Sequence, residues 1–314
     1  MSTELVKNCK TNHSNSGFYA YQIGNNYYLY QSCKKDEIWT LRYIRPLGSI
    51  KPVFYIPKIV QGYCENLIKE IPEGSVNLLI DDPPYGITKN NWDKEPKWKE
   101  IAELYDYVLN DNGLIYIFGK QPMLSNVMEA FKKYFDFRFE LIWNKKNNPW
   151  VSNFMPIPIH ENIFVFKKKR FPVEKTKFYI ERTKEKGEPY KKYRKPEDKS
   201  PTQGKYKKDY LTVNNGWRFP KSILEIIPVN GERKECCGFS TQKPSRLLEW
   251  IISASSDPGD LILDPHAGSG STCMSAYKMC RKSIGIELNP DNFQLIGTRL
   301  NEIRLPKKYI KENW

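Results

Sequence analysis

The fold of this chain is decided by residues 261–272, which read LILDPHAGSGST. The first three residues are apolar, as in a buried strand, and the turn from Asp264 to Gly270 precedes a predicted helix. Glycines in such a turn let the backbone approach a ligand closely. The next predicted strand ends at Glu287, 23 positions after Asp264, a spacing that lets a carboxylate bind ribose hydroxyls. The stretch therefore predicts a nucleoside cofactor site.

The glycine turn does not match a dinucleotide site. It runs Gly268-Ser269-Gly270-Ser271-Thr272-Cys273 and lacks the third glycine of the G-x-G-x-x-G fingerprint. Two glycines alone are a weak signal, so a plain turn between a strand and a helix is the alternative interpretation.

A second segment, Asp82-Pro83-Pro84-Tyr85, follows the apolar run 76–80. Prolines stop a strand and stiffen the turn at its carboxyl end, where ligands bind in open α/β sheets. The segment predicts a pocket for a flat ring bearing an amino group: the Asp82 carboxylate accepts one N–H, the Pro83 carbonyl accepts the other, and Tyr85 stacks on the ring. The alternative is an ordinary Asp-Pro turn after a strand.

Strand-like and helix-like patterns alternate along the chain, which predicts an α/β fold with a doubly wound, mostly parallel sheet. Strands are predicted at 114–118, 137–143 and 162–166, in addition to those that lead into Asp82, Asp264 and Glu287. Helices are predicted at 94–110, ended by the turn 111–113, and at 123–131, 244–256 and 271–279.

These motifs, in this order, resemble the S-adenosylmethionine-dependent DNA amino-methyltransferases of the circularly permuted β class, in which the catalytic motif precedes the cofactor motif. The stretch 264–270 is similar to the family's Asp-Pro-Phe-Ala-Gly-Ser-Gly loop, and 239–244 is similar to its His-Pro-Thr-Gln-Lys-Pro element. The resemblance covers roughly residues 56–304, except about 171–213, and includes the segments 142–145, 160–167 and 218–224. It implies a Rossmann-like class I methyltransferase fold.

The resemblance also implies roles for particular residues. It implies that Asp82, Pro83, Pro84 and Tyr85 are the catalytic residues. S-adenosylmethionine is implied as the cofactor and no metal is expected. Its site would comprise Asp264 near the methionine amino group, Glu287 at the ribose, and Pro265, His266, Ala267, Gly268, Ser269, Gly270, Thr241, Lys243 and Asp82 around them. For Lys243 the alternative is a surface salt bridge at a helix start.

The chain departs from the family pattern at Tyr63, which stands where an Asp is frequent, at Phe239-Ser240, which replaces His-Pro, and at His266, which replaces Phe. We expect these departures to weaken cofactor affinity without removing Asp82, Asp264 or Glu287, and a catalytically silent DNA-binding relative is the alternative from another functional class. Asp-Pro-Pro-Tyr is more typical of adenine-N6 enzymes, so site-specific methylation of adenine in flipped-out bases of duplex DNA is expected, with cytosine-N4 transfer as the alternative.

Charge agrees with a nucleic-acid substrate, because 50 Lys and Arg against 36 Asp and Glu give a net charge of +14. Residues 167–210 hold 17 Lys or Arg and 7 Asp or Glu, a net of +10, interleaved with Phe and Tyr. We interpret this basic stretch as part of a target-recognition region. The alternative is a solvated insertion.

Four segments are predicted: a β-rich extension at 1–50, a catalytic half at 51–170, target recognition at 171–235 and a cofactor-binding half at 236–314. The polar start, the lack of a membrane-length apolar run and seven cysteines without a C-x-x-C pair predict a cytoplasmic protein without membrane contact. A homodimer is a family expectation, and a companion restriction endonuclease is left open.

Overall fold

The computed structural model describes residues 17–23, 26–35, 38–48, 53–87, 93–146, 153–195, 199–200, 204–205, 210–229, 235–302 and 310–311. The strands are β1 (Gly17–Ile23), β2 (Asn26–Lys35), β3 (Ile38–Gly48), β4 (Phe54–Tyr55), β5 (Lys58–Gln61), β6 (Val76–Asp81), β7 (Leu109–Gly119), β8 (Phe135–Asn144), β9 (His160–Lys168), β10 (Glu185–Lys186), β11 (Tyr190–Arg194), β12 (Lys199–Ser200), β13 (Gly204–Lys205), β14 (Tyr210–Asn214), β15 (Trp217–Arg218), β16 (Ile223–Glu225), β17 (Leu261–Asp264), β18 (Lys282–Glu287) and β19 (Ile310–Lys311).

The helices are α1 (Cys64–Leu67), α2 (Trp98–Val108), α3 (Met123–Phe131), α4 (Ser245–Ser255), α5 (Ser271–Lys278) and α6 (Pro290–Glu302). Short 3-10 turns cover Ile68–Glu70, Val173–Lys175 and Ile180–Thr183. Within the part of the chain that the structure describes, no helix is both long enough and apolar enough to span a membrane.

The largest sheet has eight strands in the order β16-β8-β9-β7-β6-β17-β18-β5. All neighbours in it pair in parallel except β9, which runs antiparallel to β7 and β8. Connections from β6 lead outward through α2 to β7, whereas those from β17 lead the other way through α5 to β18. The predicted α/β, doubly wound and mostly parallel fold is confirmed.

Both faces of this sheet are covered, which explains why its central strands are almost continuously apolar. Successive residues of β6 alternate between two cores: Leu79 packs with α2 and α3, whereas Leu78 and Ile80 pack with α4 and α5. The first core contains Trp98, Ile101, Tyr105, Leu124, Val127 and Phe131, and the second contains Leu247, Leu248, Ile251, Ile252, Ala276 and Met279. The helical spacing of these residues is the amphipathic pattern that the sequence predicts.

The predicted helix at 94–110 is too long, and its predicted stop is wrong. The helix begins at Trp98, just after Pro96, and β7 begins immediately behind it at Leu109. Val76 pairs with Leu109 while Leu78 pairs with Leu114, so the predicted turn at 111–113 is an irregularity within the β6–β7 pairing. Extra residues in one strand interrupt a ladder locally without ending it.

The N-terminal segment forms a three-stranded antiparallel sheet, β1-β2-β3. Within this sheet, β2 and β3 pair over nine positions, with two irregularities in the register.

The basic region 171–235 adds one strand to the main sheet, β16, which pairs with β8. Its other strands pair among themselves as β10 with β15, β11 with β14 and β12 with β13. The β11–β14 ladder carries exposed Tyr190, Tyr193, Leu211 and Val213. Through β16 the region joins the main sheet beside the carboxyl end of β8.

Gly270 offers a test of how the turn after β17 packs against α6. Its φ is +74°, and a Cβ added there would lie 2.9 Å from Cγ2 of Ile296 on α6. We expect Gly270→Ala to lower the free energy of unfolding by roughly 2 kcal/mol, because both the left-handed backbone and the close contact are unfavourable for alanine. Urea unfolding followed by circular dichroism measures the change.

Gly297, the next residue of α6, is the matched control. A Cβ there meets nothing within 4 Å, and its φ is not in the left-handed region. Gly297→Ala should raise the stability by about 0.5 to 1 kcal/mol through helix propensity. Equal effects of the two substitutions would contradict the packing described for Gly270.

Candidate active site

The two sequence motifs meet where the sheet connections diverge. Asp82 directly follows β6, and Asp264 ends β17. These two strands pair in parallel, with Leu79 opposite Leu263, so their carboxyl ends lie side by side. This point is where open α/β sheets bind ligands.

Tyr85 and Asp82 are joined by a hydrogen bond from Oη of Tyr85 to Oδ1 of Asp82, at 2.8 Å. The Tyr85 ring is partly buried against the first core. Burial and the neighbouring Asp82 carboxylate raise the pKa of Tyr85 well above its ordinary value, so the phenol remains a donor. The sequence interpretation gave Tyr85 only a stacking role; the structure adds that its hydroxyl fixes the Asp82 carboxylate.

Lys243 lies beside Asp82 in the assembled site. Its Nζ donates a hydrogen bond to Oδ2 of Asp82 and lies 5.2 Å from the centre of the Phe118 ring. The side chain is buried, so the alternative of a surface salt bridge is wrong. Burial opposes its charge, but the carboxylates of Asp82 and Glu161 outweigh that effect and raise the pKa of Lys243. Burial raises the pKa of Asp82, although the Lys243 ammonium acts to lower it.

Glu161, the second residue of β9, is a member of the site to which the sequence analysis assigned no role. Its Oε1 accepts a hydrogen bond from Nζ of Lys145 at 2.5 Å, and its Oε2 lies 3.6 Å from Nζ of Lys243. Burial opposes its charge, but the two ammonium groups outweigh it and lower the pKa of Glu161. Long-range neighbours of this kind leave no local sequence signal.

Asp93 anchors the turn that follows Tyr85. Its Oδ1 accepts a hydrogen bond from the backbone N–H of Gly86 at 2.8 Å, and its Oδ2 accepts one from Ile87 at 3.0 Å. Asp93 is buried. The sequence analysis did not assign it a role.

Asp264 and Glu287 line the cofactor side of the site. Burial raises the pKa of Asp264 to about 7, although a hydrogen bond with Thr272 opposes the shift. Glu287 accepts hydrogen bonds from the backbone N–H of Gly268 at 2.7 Å and of Asn289 at 2.8 Å. The predicted loop and the predicted ribose-side carboxylate are therefore in direct contact.

His266 has a partner that the sequence did not indicate. Its Nδ1 lies 2.7 Å from Oδ1 of Asp81, and its Nε2 lies 3.5 Å from Sγ of Cys64. Oδ2 of Asp81 accepts a hydrogen bond from Oη of Tyr105 at 2.8 Å. Burial disfavours the imidazolium, but the Asp81 carboxylate outweighs that effect and raises the pKa of His266 well above its ordinary value.

The remaining cofactor-loop residues have packing roles in the structure. Phe239 lies against the loop, because a Cβ added to Gly268 would be 3.2 Å from its ring. Pro265, Ala267 and Ser269 are buried, and Ser269 offers its carbonyl to the Arg299 guanidinium. Thr241 is exposed, whereas its neighbour Gln242 is buried and holds the segment through bonds to Cys237 and Glu235. Within the described residues, no cluster of His, Cys, Asp or Glu could hold a metal ion.

Comparisons with known proteins agree with this geometry. A family model described as DNA methylase matches residues 76–297. DNA adenine methyltransferase YhdJ of Escherichia coli (strain K12) is 30% identical over 258 residues, which cover 77% of this chain and 82% of that protein. Type II methyltransferase M.HpaI of Haemophilus parainfluenzae is 27% identical over 261 residues, which cover 76% of this chain and 73% of that protein.

The chain belongs to the DNA methylase family. Two solved structures resemble the fold of this chain. The complex of M1.HpyAVI with S-adenosylmethionine gives a TM-score of 0.50 at 27% identity, covering 77% of this chain and 99% of that one. PvuII DNA methyltransferase, which is cytosine-N4-specific, gives a TM-score of 0.56 at 16% identity, covering 79% of this chain and 89% of that one. At this identity the likeness shows the fold alone. The protein is an S-adenosylmethionine-dependent DNA methyltransferase, as the resemblance implied.

The residues present fit this cofactor. Asp264 is a buried carboxylate whose pKa stays raised although Thr272 and His266 act against the shift, so a further cation such as the α-ammonium of an amino acid suits it. Glu287 lies at the end of the adjacent strand, with its carboxylate against the glycine loop, which suits ribose hydroxyls. When bound, S-adenosylmethionine supplies an electrophilic methyl group.

The Asp93 anchor generates a prediction for the catalytic turn. We expect Asp93→Ala to lower the rate constant of methyl transfer about tenfold, because the turn carrying Tyr85 loses two backbone hydrogen bonds and the alignment of Asp82 suffers. Cofactor affinity, measured by calorimetry, should change by less than about twofold, since Asp264 and Glu287 lie on other strands.

Glu100→Ala is the control for this experiment. Glu100 is on α2, close in sequence to Asp93, but its exposed carboxylate pairs with exposed Lys97 at 3.3 Å. Exposed pairs contribute little, so its rate should equal that of the unmodified protein. An Asp93→Ala protein with full activity would show that the turn holds its shape without this anchor.

Proposed function

We propose that the protein methylates the N6 amino group of adenine at specific sites in duplex DNA. The observation that carries the proposal is the Asp82 carboxylate, which lies beside the cofactor loop and is oriented by Tyr85 and Lys243. The Asp-Pro-Pro-Tyr sequence and the 30% identical relative, a DNA adenine methyltransferase, support adenine. Cytosine-N4 transfer is the second candidate, because the same pocket suits any conjugated ring amine.

The chemistry assigned to Asp82 follows from the properties of the amine. Its lone pair is delocalised into the ring, so it attacks a methyl group only when acceptors on its N–H bonds draw the nitrogen out of conjugation. Asp82 and the carbonyl of Pro83 supply two acceptors at adjacent positions. The new N–C bond would form as the S–C bond of the sulfonium methyl donor breaks, leaving a neutral thioether and a cationic nitrogen. The Asp82 carboxylate would stabilise that charge until the nitrogen releases one proton to water.

DNA recognition is assigned to the basic region 171–235. The β11–β14 ladder presents Lys191 and Lys192, both exposed, beside exposed Tyr193. Lysines of this kind neutralise phosphates, and exposed aromatic rings stack on unpaired bases. Because the target amine is inside the duplex, the base must be flipped outward to reach Asp82. The predicted homodimer and companion endonuclease stay predictions.

The proposal is tested by incubating the protein with plasmid DNA and S-adenosylmethionine, digesting the DNA to nucleosides and measuring methylated species by mass spectrometry. N6-methyladenine is the expected product, and sequencing of the modified plasmid gives the site. N4-methylcytosine would contradict the choice of base, and no product of either kind would favour a silent DNA-binding relative.

Asp82→Ala is the matched variant in that assay. It should reduce transfer at least about a hundredfold, the magnitude typical of losing an electrostatic group at the reacting centre. Its affinity for S-adenosylmethionine should be retained, because Asp264 and Glu287 are untouched. Undiminished methylation by Asp82→Ala would refute the role of this carboxylate.

Asp264 generates a pH prediction for cofactor binding. Its pKa is raised to about 7, so it is a carboxylate above that pH and becomes neutral below it. Only the carboxylate pairs with the cofactor's α-ammonium, which stays protonated throughout this range. The association constant for S-adenosylmethionine should therefore fall roughly tenfold as the pH is lowered from 7.0 to 5.5.

Isothermal titration calorimetry across this range measures the effect. Asp264→Asn is the control: it should bind the cofactor weakly, and without this pH dependence. A pH-independent affinity in the unmodified protein would show that Asp264 does not meet the ammonium group.

A further inference from the structure

Lys243 forms ion pairs with two carboxylates and lies closer to one of them. Its Nζ donates a hydrogen bond to Oδ2 of Asp82, whereas its ion pair with Oε2 of Glu161, at 3.6 Å, is longer than a normal hydrogen bond. The side chains of Lys243 and Glu161 are only 10% and 9% exposed. Both groups are therefore confined to a small buried space, in which the ammonium has two carboxylates within reach.

The two oxygens of Glu161 differ in their partners. Oε1 accepts the 2.5 Å hydrogen bond from Lys145, whose ammonium lies 4.8 Å from the centre of the Trp143 ring. Oε2 is buried and has no hydrogen-bond donor among the described residues. Buried carboxylate oxygens are nearly always satisfied, and Nζ of Lys243, 3.6 Å away, is a charged donor within reach of Oε2.

Asp82 differs from Glu161 because both of its carboxylate oxygens already accept hydrogen bonds. Its Oδ1 accepts the Tyr85 hydroxyl and its Oδ2 accepts the Lys243 ammonium. The proposed reaction needs Asp82 to accept an N–H of the target amine and to face the positive charge that develops on it. An ammonium group on Asp82 competes for the same oxygen and repels that charge.

We propose that Glu161 is a positioning residue that receives Lys243 from Asp82 when the target base enters, so that Asp82 is free to bind the amine. The proposal rests on the proposed function. A movement of the lysine tip by about 1 Å would close the gap to Oε2 to a normal hydrogen bond. Lys145 holds Glu161 in place, and the Phe118 ring lies beside the ammonium.

The charges of the cluster make this transfer favourable. A buried ammonium that left Asp82 without another carboxylate to meet would be uncompensated, which is strongly unfavourable. Glu161 provides that carboxylate, and its lowered pKa together with the raised pKa of Lys243 keeps both groups ionised at neutral pH. The N–H bonds of Lys243 then satisfy Oε2 while the amine satisfies Oδ2.

Glu161→Gln tests the proposal, because it keeps the shape of the side chain and removes the charge. In single-turnover assays with saturating DNA and cofactor, we expect the methylation rate constant to fall about tenfold or more, since Lys243 then stays on Asp82. Affinities for S-adenosylmethionine and for DNA should change by less than about twofold. Glu140→Gln is the matched control; Glu140 accepts a bond from Asn162 at 2.5 Å, which an amide oxygen can still accept, so the rate should be unchanged.

A double-mutant cycle separates positioning from a general structural role. If Glu161 acts only by drawing Lys243 away, then in a Lys243→Met background the further change Glu161→Gln should alter the rate less than about twofold. A structural role would lower the rate in both backgrounds. Thermal melts establish that each variant is folded, and Lys243→Gln replaces Lys243→Met if the methionine variant does not fold.

The outcomes distinguish this inference from the proposed function. Equal rates for the unmodified protein and Glu161→Gln, or equal losses in both Lys243 backgrounds, would overturn the transfer of Lys243 while leaving the methyltransferase intact. A cytosine product would overturn the choice of adenine but would leave the Glu161→Gln comparison valid, because the amine chemistry is the same. A raised cofactor dissociation constant in Glu161→Gln, with an unchanged rate at saturation, would instead assign Lys243 to the cofactor.

Discussion

The parallel pairing of β6 with β17 is the constraint on which the site depends. Residues far apart in the chain, Asp82 and Asp264, become neighbours only because Leu78 and Leu79 lie opposite Ile262 and Leu263. The connections leave this pair in opposite directions, which opens a crevice at the carboxyl ends of the strands. The reacting amine and the methyl donor must meet within bonding distance, and two rigid adjacent strands hold their binding groups at a fixed separation.

A concentration of buried acids follows from this placement. Asp81, Asp82, Asp264 and Glu161 all lie near the same edge of the sheet, where burial penalises each charge. The structure compensates three of them with cations: His266 for Asp81, and Lys243 and Lys145 for Asp82 and Glu161. Burial raises the pKa of both Asp82 and Asp264, and it raises that of Asp264 to about 7 although the nearby His266 charge acts against the shift. Asp264 is the acid proposed to receive the cofactor's ammonium, which would supply the close cationic partner that Lys243 supplies to Asp82.

The sequence was sufficient for the fold class and for both motifs, because strand periodicity, prolines and glycines act locally. It was not sufficient for the roles of Glu161, Asp93 and His266. Glu161 meets Lys243, and His266 meets Asp81, only through the assembled sheet, over separations of 82 and 185 residues. The predicted limits of the helix at 94–110 were wrong for a related reason. β7 starts directly after α2, because its pairing with β6 overrides the turn signal at 111–113. Tertiary contacts decided these features, and no local pattern encodes them.

His266 shows how a departure from a family pattern is accommodated. The sequence interpretation considered this histidine a possible weakness of the cofactor loop, because an aromatic hydrocarbon is usual there. Asp81 is fully buried, and a buried carboxylate needs partners. Tyr105 provides one hydrogen bond, and His266 provides the other together with a compensating charge. A phenylalanine at 266 would leave Oδ1 of Asp81 without that donor. The histidine therefore joins the end of β6 to the cofactor loop after β17, across the same pair of strands that brings the two motifs together.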